Sequence, residues 1–257
     1  MKKLILILLC LPMIGYGQQT YVPDDNFEQK LINLGYDNTL DNFVLTANIS
    51  TIGSLSISNN YINDLTGIED FNSLVTLDCS SNNLFSLDLS SLNNLLNLDC
   101  SYNDLITLIV NQEVKTLWCM SNQISTLDLS NNYNLSWLRC NANNLTSLDL
   151  RNGNNHNLII WEEENLTSCY FVSLFNSNLI CIDVDNPSFS TNHWEGFYDI
   201  QTNFSYDCLL NSTNQILSNK ILTKITNVLG QETKETKNKP LFYIYDDGTV
   251  EKRIVIE

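Results

Sequence analysis

Apolar residues in the middle of this chain recur with neither the period of a helix nor that of a simple alternating strand. They follow a longer pattern, Leu-x-x-Leu-x-Cys-x-x-Asn-x-Leu-x-x-Leu-x-Leu. Four segments carry it without gaps: LVTLDCSSNNLFSLDL, LLNLDCSYNDLITLIV, VKTLWCMSNQISTLDL and LSWLRCNANNLTSLDL, starting at Leu74, Leu95, Val114 and Leu135. Their starts lie 21, 19 and 21 residues apart. An earlier copy begins at Ile52 with Ile57 in the cysteine position, and degenerate copies follow from Leu158 and around Leu166 to Phe171. A period near 20 built this way predicts a solenoid in which each coil lays down one or two short strands.

Alternate residues of a strand face opposite sides. Leu74, Leu77, Cys79, Leu84, Leu87 and Leu89 are therefore expected inside, stacked on their counterparts in the next coil. Asn60, Asn82, Asn103, Asn122 and Asn143 form one column, placed to hydrogen-bond turn backbone that the strand ladder leaves unpaired. Cys79, Cys100, Cys119 and Cys140 form another. Neighbouring strands lie about 4.8 Å apart, but parallel in-register side chains suit the roughly 90° disulfide dihedral badly. Metal sites want convergent ligands rather than one per coil along a line. Compact core packing is the expected role of these thiols.

These segments resemble the leucine-rich repeat family, and more closely the short secreted repeat proteins of bacteria, over roughly residues 20–208. The resemblance implies a right-handed solenoid with a parallel sheet on one face and a role in binding other molecules. The expected fold is a leucine-rich repeat solenoid, mostly short strand and coil, with a small N-terminal helical cap and a C-terminal β-hairpin tail. Its segments are a signal peptide (1–17), an N-terminal cap (18–51), repeats (52–178), a C-terminal cap (179–208), a linker (209–218) and the tail (219–257).

The leader reads MKKLILILLCLPMIGYG. A basic start at Lys2 and Lys3, an apolar run from Leu4 to Ile14 and a small-x-small Gly15-Tyr16-Gly17 fit a secretory signal. The run is too short for a membrane-spanning helix, which needs about 20 residues. Cys10 is one of eight cysteines, so its removal leaves an odd number in an oxidising compartment.

A stack of coils exposes its core at both ends, so caps are expected. Asp25 and Glu28 read as a capping-box pair ahead of an amphipathic helix carrying Phe27, Leu31 and Leu34, with Gly35 as its stop. At the other end Cys181 and Cys208 bracket a 27-residue loop and are expected to form a disulfide worth about 3–4 kcal/mol. Trp194, Phe197 and Tyr198 are expected to pack over the last coil.

Beyond Cys208, LFYIYDDGTVEKRIVIE reads as a hairpin. Together, ITNVLGQETK, LFYIYDDGTVEK and the terminal RIVIE resemble the C-terminal sorting domain of the type IX secretion system of Bacteroidetes. That resemblance implies passage across an outer membrane through the secretion machinery, leaving the protein secreted or at the cell surface.

Charge narrows the function. Thirteen basic against 29 acidic residues give −16, which disfavours nucleic-acid binding because phosphates need a basic face. With two histidines, His156 and His193, and no nucleophile beside an oxyanion loop, the sequence points away from an enzyme and calls for no cofactor. Asp24-Asp25 and Asp183/Asp185 do not match a calcium loop, and no metal site is expected.

The outward strand positions are mostly small or acidic. Trp118, Trp137 and Arg139 are the exceptions, on adjacent coils of one face, and Trp and Arg are enriched in binding hot spots. With Asp78 and Asp99 they form the candidate ligand site, for a protein or, through stacking on sugar rings, a glycan. Ile160 and Glu162 are expected to continue the same face. The alternative is a passive structural component of the cell surface or biofilm with no specific ligand.

Overall fold

A computed structural model describes residues 17–158, 160–163, 166–169, 171–209, 222–227, 230–234, 240–245, 248 and 250–254. The expected signal peptide, apart from Gly17, and the expected linker, apart from Leu209, lie outside the described residues. The chain forms two compact units, one ending at Tyr206 and one starting at Asp207.

The first unit is a leucine-rich repeat solenoid of parallel strands. Six strands form its first face in the order Phe171–Val172, Trp137–Arg139, Thr116–Trp118, Asn97–Asp99, Thr76–Asp78 and Ser54–Ser56. They pair in register, so Leu55, Leu77, Leu98, Leu117 and Leu138 form one column, and Leu138 sits opposite Phe171. A second face carries Ser86–Asp88 paired with Thr107–Ile109, and separately Thr126–Asp128, Ser147–Leu150, Cys181–Val184 and Asn203–Ser205. Between the faces the Leu, Ile and Cys columns form one continuous buried core. Fully burying each Leu contributes roughly 1.5–3 kcal/mol, and no coil has a core of its own.

The strands are three or four residues long because the chain must turn between faces. A left-handed residue precedes the asparagine position in each coil: Asn59, Ser81, Tyr102, Ser121, Ala142 and Phe175, with φ of 55 to 62°. That turn aims the next side chain inward.

The degenerate copies behave differently from expectation. Strands Ile160–Glu163 and Leu166–Cys169 form an antiparallel pair, and Phe171–Val172 is the strand that follows Trp137–Arg139 in the sheet. Ile160 and Glu162 therefore do not extend the first face. An insertion has displaced the period: Phe171 follows Leu138 by 33 residues, where Leu138 follows Leu117 by 21, and it takes the inward position instead.

Strand Gln19–Tyr21 pairs antiparallel with Phe43–Leu45, beside helix Asp25–Asn33. The capping residue is Asp24, not the expected Asp25. One Asp24 oxygen accepts from the Asn26 and Phe27 amides, and the other from those of Asn63 and Asp64 in the first coil. Glu28 turns inward, fully buried, and accepts from the Asp41 and Phe43 amides at 2.9 and 3.1 Å. It braces a loop rather than completing a capping box. Gly67 is fixed by its surroundings: φ is +100°, and a Cβ there would lie 2.6 Å from the Tyr21 carbonyl oxygen.

At the far end, helix Pro187–His193 is capped by Asn186. Trp194 is fully buried against Phe171 and Phe204 and donates its indole N–H to the Leu158 carbonyl. Phe197 and Tyr198 pack on the core beside it.

The second unit contains an antiparallel sheet in which Pro240–Tyr245 lies between Leu222–Thr226 and Val250–Ile254. The hairpin is present, with a third strand added to it. Among the described residues, Thr226, Leu241 and Tyr243 are buried in it.

Candidate functional site

The register of the first face sets two outward columns. One runs Ser54, Thr76, Asn97, Thr116, Trp137; the other runs Ser56, Asp78, Asp99, Trp118, Arg139. Parallel in-register pairing therefore brings Trp118, Trp137 and Arg139 together. The Arg139 guanidinium carbon lies 5.2 Å from the Trp118 ring centroid and 5.6 Å from that of Trp137. The two indoles meet edge to face at 5.6 Å. Cation–π contacts of this kind are worth about 0.5–1 kcal/mol at exposed sites, enough to hold the cluster in one arrangement.

All three side chains are half-buried. Among the described residues, neither Trp118 Nε1 nor Arg139 Nε has a hydrogen-bond partner, although both atoms are shielded from water. No carboxylate pairs with Arg139 among those residues either. Beside Trp118 lies a shallow cavity of about 290 Å³, floored by Leu77 and Leu98 and edged by Thr76, Asp78, Asn97, Asp99 and Thr116.

The structure places Asp78 and Asp99 on this rim, both already accepting hydrogen bonds. Asp78 Oδ1 accepts from the Ser80 amide and hydroxyl, and Asp99 Oδ1 from the Ser101 amide. The Ser56 hydroxyl donates to Asp78 Oδ2 at 3.2 Å. Asp88, Asp128 and Asp149 make the same two-residue turn contact on the second face. The hydrogen bonds from Ser90 hold the Asp88 carboxyl below its usual range. Desolvation raises Asp149, but hydrogen bonds and charge from Arg151 outweigh it and leave the net shift downward.

The asparagine column is a buried hydrogen-bond ladder. Asn82, Asn103, Asn122 and Asn143 each donate through Nδ2 to a cysteine-position carbonyl of their own coil and to one of the preceding coil, at 2.9–3.1 Å. Each Oδ1 accepts from an amide of the preceding coil: Ile62, Leu84, Leu105 and Ile124. Asn60 differs. It is half-buried, and its side chain donates to the Ser58 carbonyl.

Asn176, which the sequence reading missed, is the next rung, linking Cys140, Ser173 and Leu145. Asp199 then accepts from the Phe175 and Asn176 amides. A second series, Asn111, Asn132 and Asn154, does similar work at the opposite turn, donating to the carbonyls of Leu95, Asn111 and Leu135.

Cys79, Cys100, Cys119 and Cys140 are free thiols and fully buried. Desolvation pushes each upward, Cys140 to about 12. Cys181 and Cys208 are both disulfide-bonded. His193 stacks on Phe189 at 4.0 Å, and its Nδ1 meets the Phe189 carbonyl. His156 is exposed in the turn Asn155–Asn157. Among the described residues no group of three His, Cys, Asp or Glu side chains could hold a metal ion, and no helix is long and apolar enough to cross a membrane.

No family model matches the chain, and no curated protein does. Among solved structures it is similar to the functional domain of InlJ from Listeria monocytogenes, which includes a cysteine ladder. That match has 31% identity and a TM-score of 0.49, over 65% of this chain and 38% of the other. This chain thus spans about four-tenths of the length of that InlJ chain. Internalin C2 from Listeria monocytogenes str. 4b F2365 is 19% identical over 74% of this chain and 91% of its own, with a TM-score of 0.41. The plant peptide hormone receptor RGFR1, in complex with RGF2, is 22% identical over 63% of this chain and 26% of its own, at 0.38.

Proposed function

We propose that this leucine-rich repeat solenoid is a non-enzymatic binding protein, exported and displayed or released outside the cell. It recognises a protein or glycan on its first face. The observation that carries the reading is the cluster of Trp118, Trp137 and Arg139. Its register-fixed packing lowers the entropy lost on binding, and it leaves two shielded donors, Trp118 Nε1 and Arg139 Nε, without acceptors among the described residues. A ligand acceptor would satisfy them. The adjoining rim of Asp78, Asp99, Asn97 and Thr76 supplies hydrogen-bonding groups suited to hydroxyls or a basic side chain.

Export rests on the basic-apolar leader, and delivery by the type IX machinery rests on the likeness of residues 219–257 to its sorting domain. Fusing residues 209–257 to a secreted reporter tests delivery, and a reporter held in the periplasm would count against it.

The binding reading is tested by capture from protein and polysaccharide extracts with the mature chain, beside a variant carrying Trp118→Ala, Trp137→Ala and Arg139→Ala. A partner kept by the parent and lost by a variant of unchanged thermal unfolding supports the first face. Equal capture by both would remove the site from these residues.

A further inference from the structure

The turn leading from the second face back to the first is two residues shorter in one coil than in its neighbours. Leu89 and Leu95 stand six positions apart, as do Leu129 and Leu135, but Val110 and Val114 stand only four apart. Asn132 Nδ2 donates to the Asn111 carbonyl, and Asn111 Nδ2 donates to those of Leu92 and Leu95. Asn111 and Asn132 therefore hold equivalent places, three positions before Val114 and Leu135. The missing pair are the counterparts of Ser90–Ser91 in the preceding coil and Ser130–Asn131 in the following one. Because the asparagine bonds still join the coils beneath it, the short turn removes surface cover and leaves the stack closed.

Over the short turn lies an open cavity of about 650 Å³, within the range of small-ligand sites, about 300–1,000 Å³. Ser90 and Asn93 of the preceding coil line one wall, and Thr126, Asp128 and Asn131 of the following coil line the other. The short turn itself contributes Gln112, and Leu108, Ile109 and Val110 form an aliphatic floor. Val110 is half-buried, whereas its counterparts Leu89 and Leu129 are fully buried. Ile109, 52% exposed, stands where the adjacent coils carry Asp88 and Asp128. The deletion thus uncovers apolar surface between two walls of amides and hydroxyls. The side chains of Asn93, Gln112 and Thr126 make no hydrogen bond among the described residues. Asp128 is the one ionisable side chain in the lining. With no cation there to neutralise a phosphate, sulfate or carboxylate, an anionic ligand is disfavoured.

We propose that this cavity binds a neutral sugar residue of a glycan. A pyranose has the matching two-sided character, with an apolar C–H face and a rim of hydroxyls. The C–H face rests on Ile109 and Val110. The hydroxyls donate to the Asp128 carboxylate and both donate to and accept from the amides of Asn93 and Gln112, which carry each kind of group. The walls stand two coil steps apart, about 10 Å, and admit one ring between them. None of these residues belongs to the Trp118 cluster on the first face, and the inference does not rest on that reading.

The test is titration of the full chain with neutral trisaccharides of glucose, mannose, galactose and xylose, beside trigalacturonate and a blocked Gly-Val-Ser-Gly peptide. Binding is followed through methyl and side-chain amide resonances. At least one neutral trisaccharide is expected to shift the Ile109 and Val110 methyls and the Asn93 and Gln112 amides. Gln112→Ala and Asp128→Asn should each weaken that binding about tenfold with thermal unfolding unchanged. Inserting Ser-Asn after Val110, which restores the length of the turn, should abolish it. Trp118→Ala should leave it unchanged. The two point variants decide the matter even if the lengthened chain fails to fold. The proposal is overturned if no neutral trisaccharide shifts these groups at about ten millimolar, or if trigalacturonate or the peptide binds there as well as the sugars do. Binding indifferent to both point variants would also overturn it. Sugar binding lost with Trp118→Ala would overturn it too, while supporting recognition on the first face.

Discussion

Asn122 Nδ2 donates to the Cys100 carbonyl, one coil back, at 3.0 Å, while its Oδ1 accepts from the Leu105 amide of that same coil. One side chain thus supplies buried backbone groups that no strand reaches. Asn122→Ala strands them, and a buried group left unsatisfied costs about 1–3 kcal/mol. The expected loss is about 3 kcal/mol in urea unfolding. Asn60→Ala, which removes only a local contact, is expected to cost under about 1 kcal/mol.

Ala142 occupies the left-handed region at φ 55°. A non-glycine residue there is strained by about 1 kcal/mol. Ala142→Gly is therefore expected to raise stability by up to about 1 kcal/mol, offset in part by the greater freedom of glycine in the unfolded chain. Thermal unfolding of the two proteins measures the balance.

Burial raises all four column thiols far above their ordinary range. Native-state alkylation is expected to be negligible and to change little between about pH 7 and 9, because thiolate is the reactive form. Full labelling should appear only in denaturant. Peptide mapping without reductant is expected to join the Cys181 and Cys208 peptides to each other. Loss of that staple through Cys208→Ser should cost about 3–4 kcal/mol.

The Asp149 carboxyl titrates below its ordinary value because Arg151 binds it bidentately. A folded-state value below the unfolded one contributes stability above the unfolded pKa, near 3.9. That contribution is lost as pH falls through the folded value. Arg151→Met should remove it, so the loss of stability as pH falls below about 4 becomes shallower than in the parent, as read by denaturant midpoints.

The Leu, Cys and Asn columns were legible in the sequence because a fixed period puts the same residue in the same environment on successive coils. That regularity failed where the period did. The insertion around Ile160–Cys169 hid Asn176, and it suggested a strand for Ile160 and Glu162 that the sheet does not contain. Asn111, Asn132 and Asn154 escaped because the arcs that hold them differ in length, so no ungapped alignment superposes them. The pairing of Trp118 with Arg139 followed from register alone. Their missing acceptors did not, since satisfaction depends on every neighbouring group. Glu28 misled for a similar reason: its spacing from Asp25 imitates a cap, while its carboxylate is taken by a loop 13 residues away.

The asparagine ladder points one way along the chain. Each rung from Asn82 to Asn176 completes the coil before it, so a coil leaving the ribosome stays unfinished until its successor arrives. Maturation of the solenoid therefore runs one coil behind synthesis, and the two ends fray by different rules. Removing the first coil takes away recipients of hydrogen bonds. Removing the last takes away Asp199 and Asn176, and opens the backbone behind them.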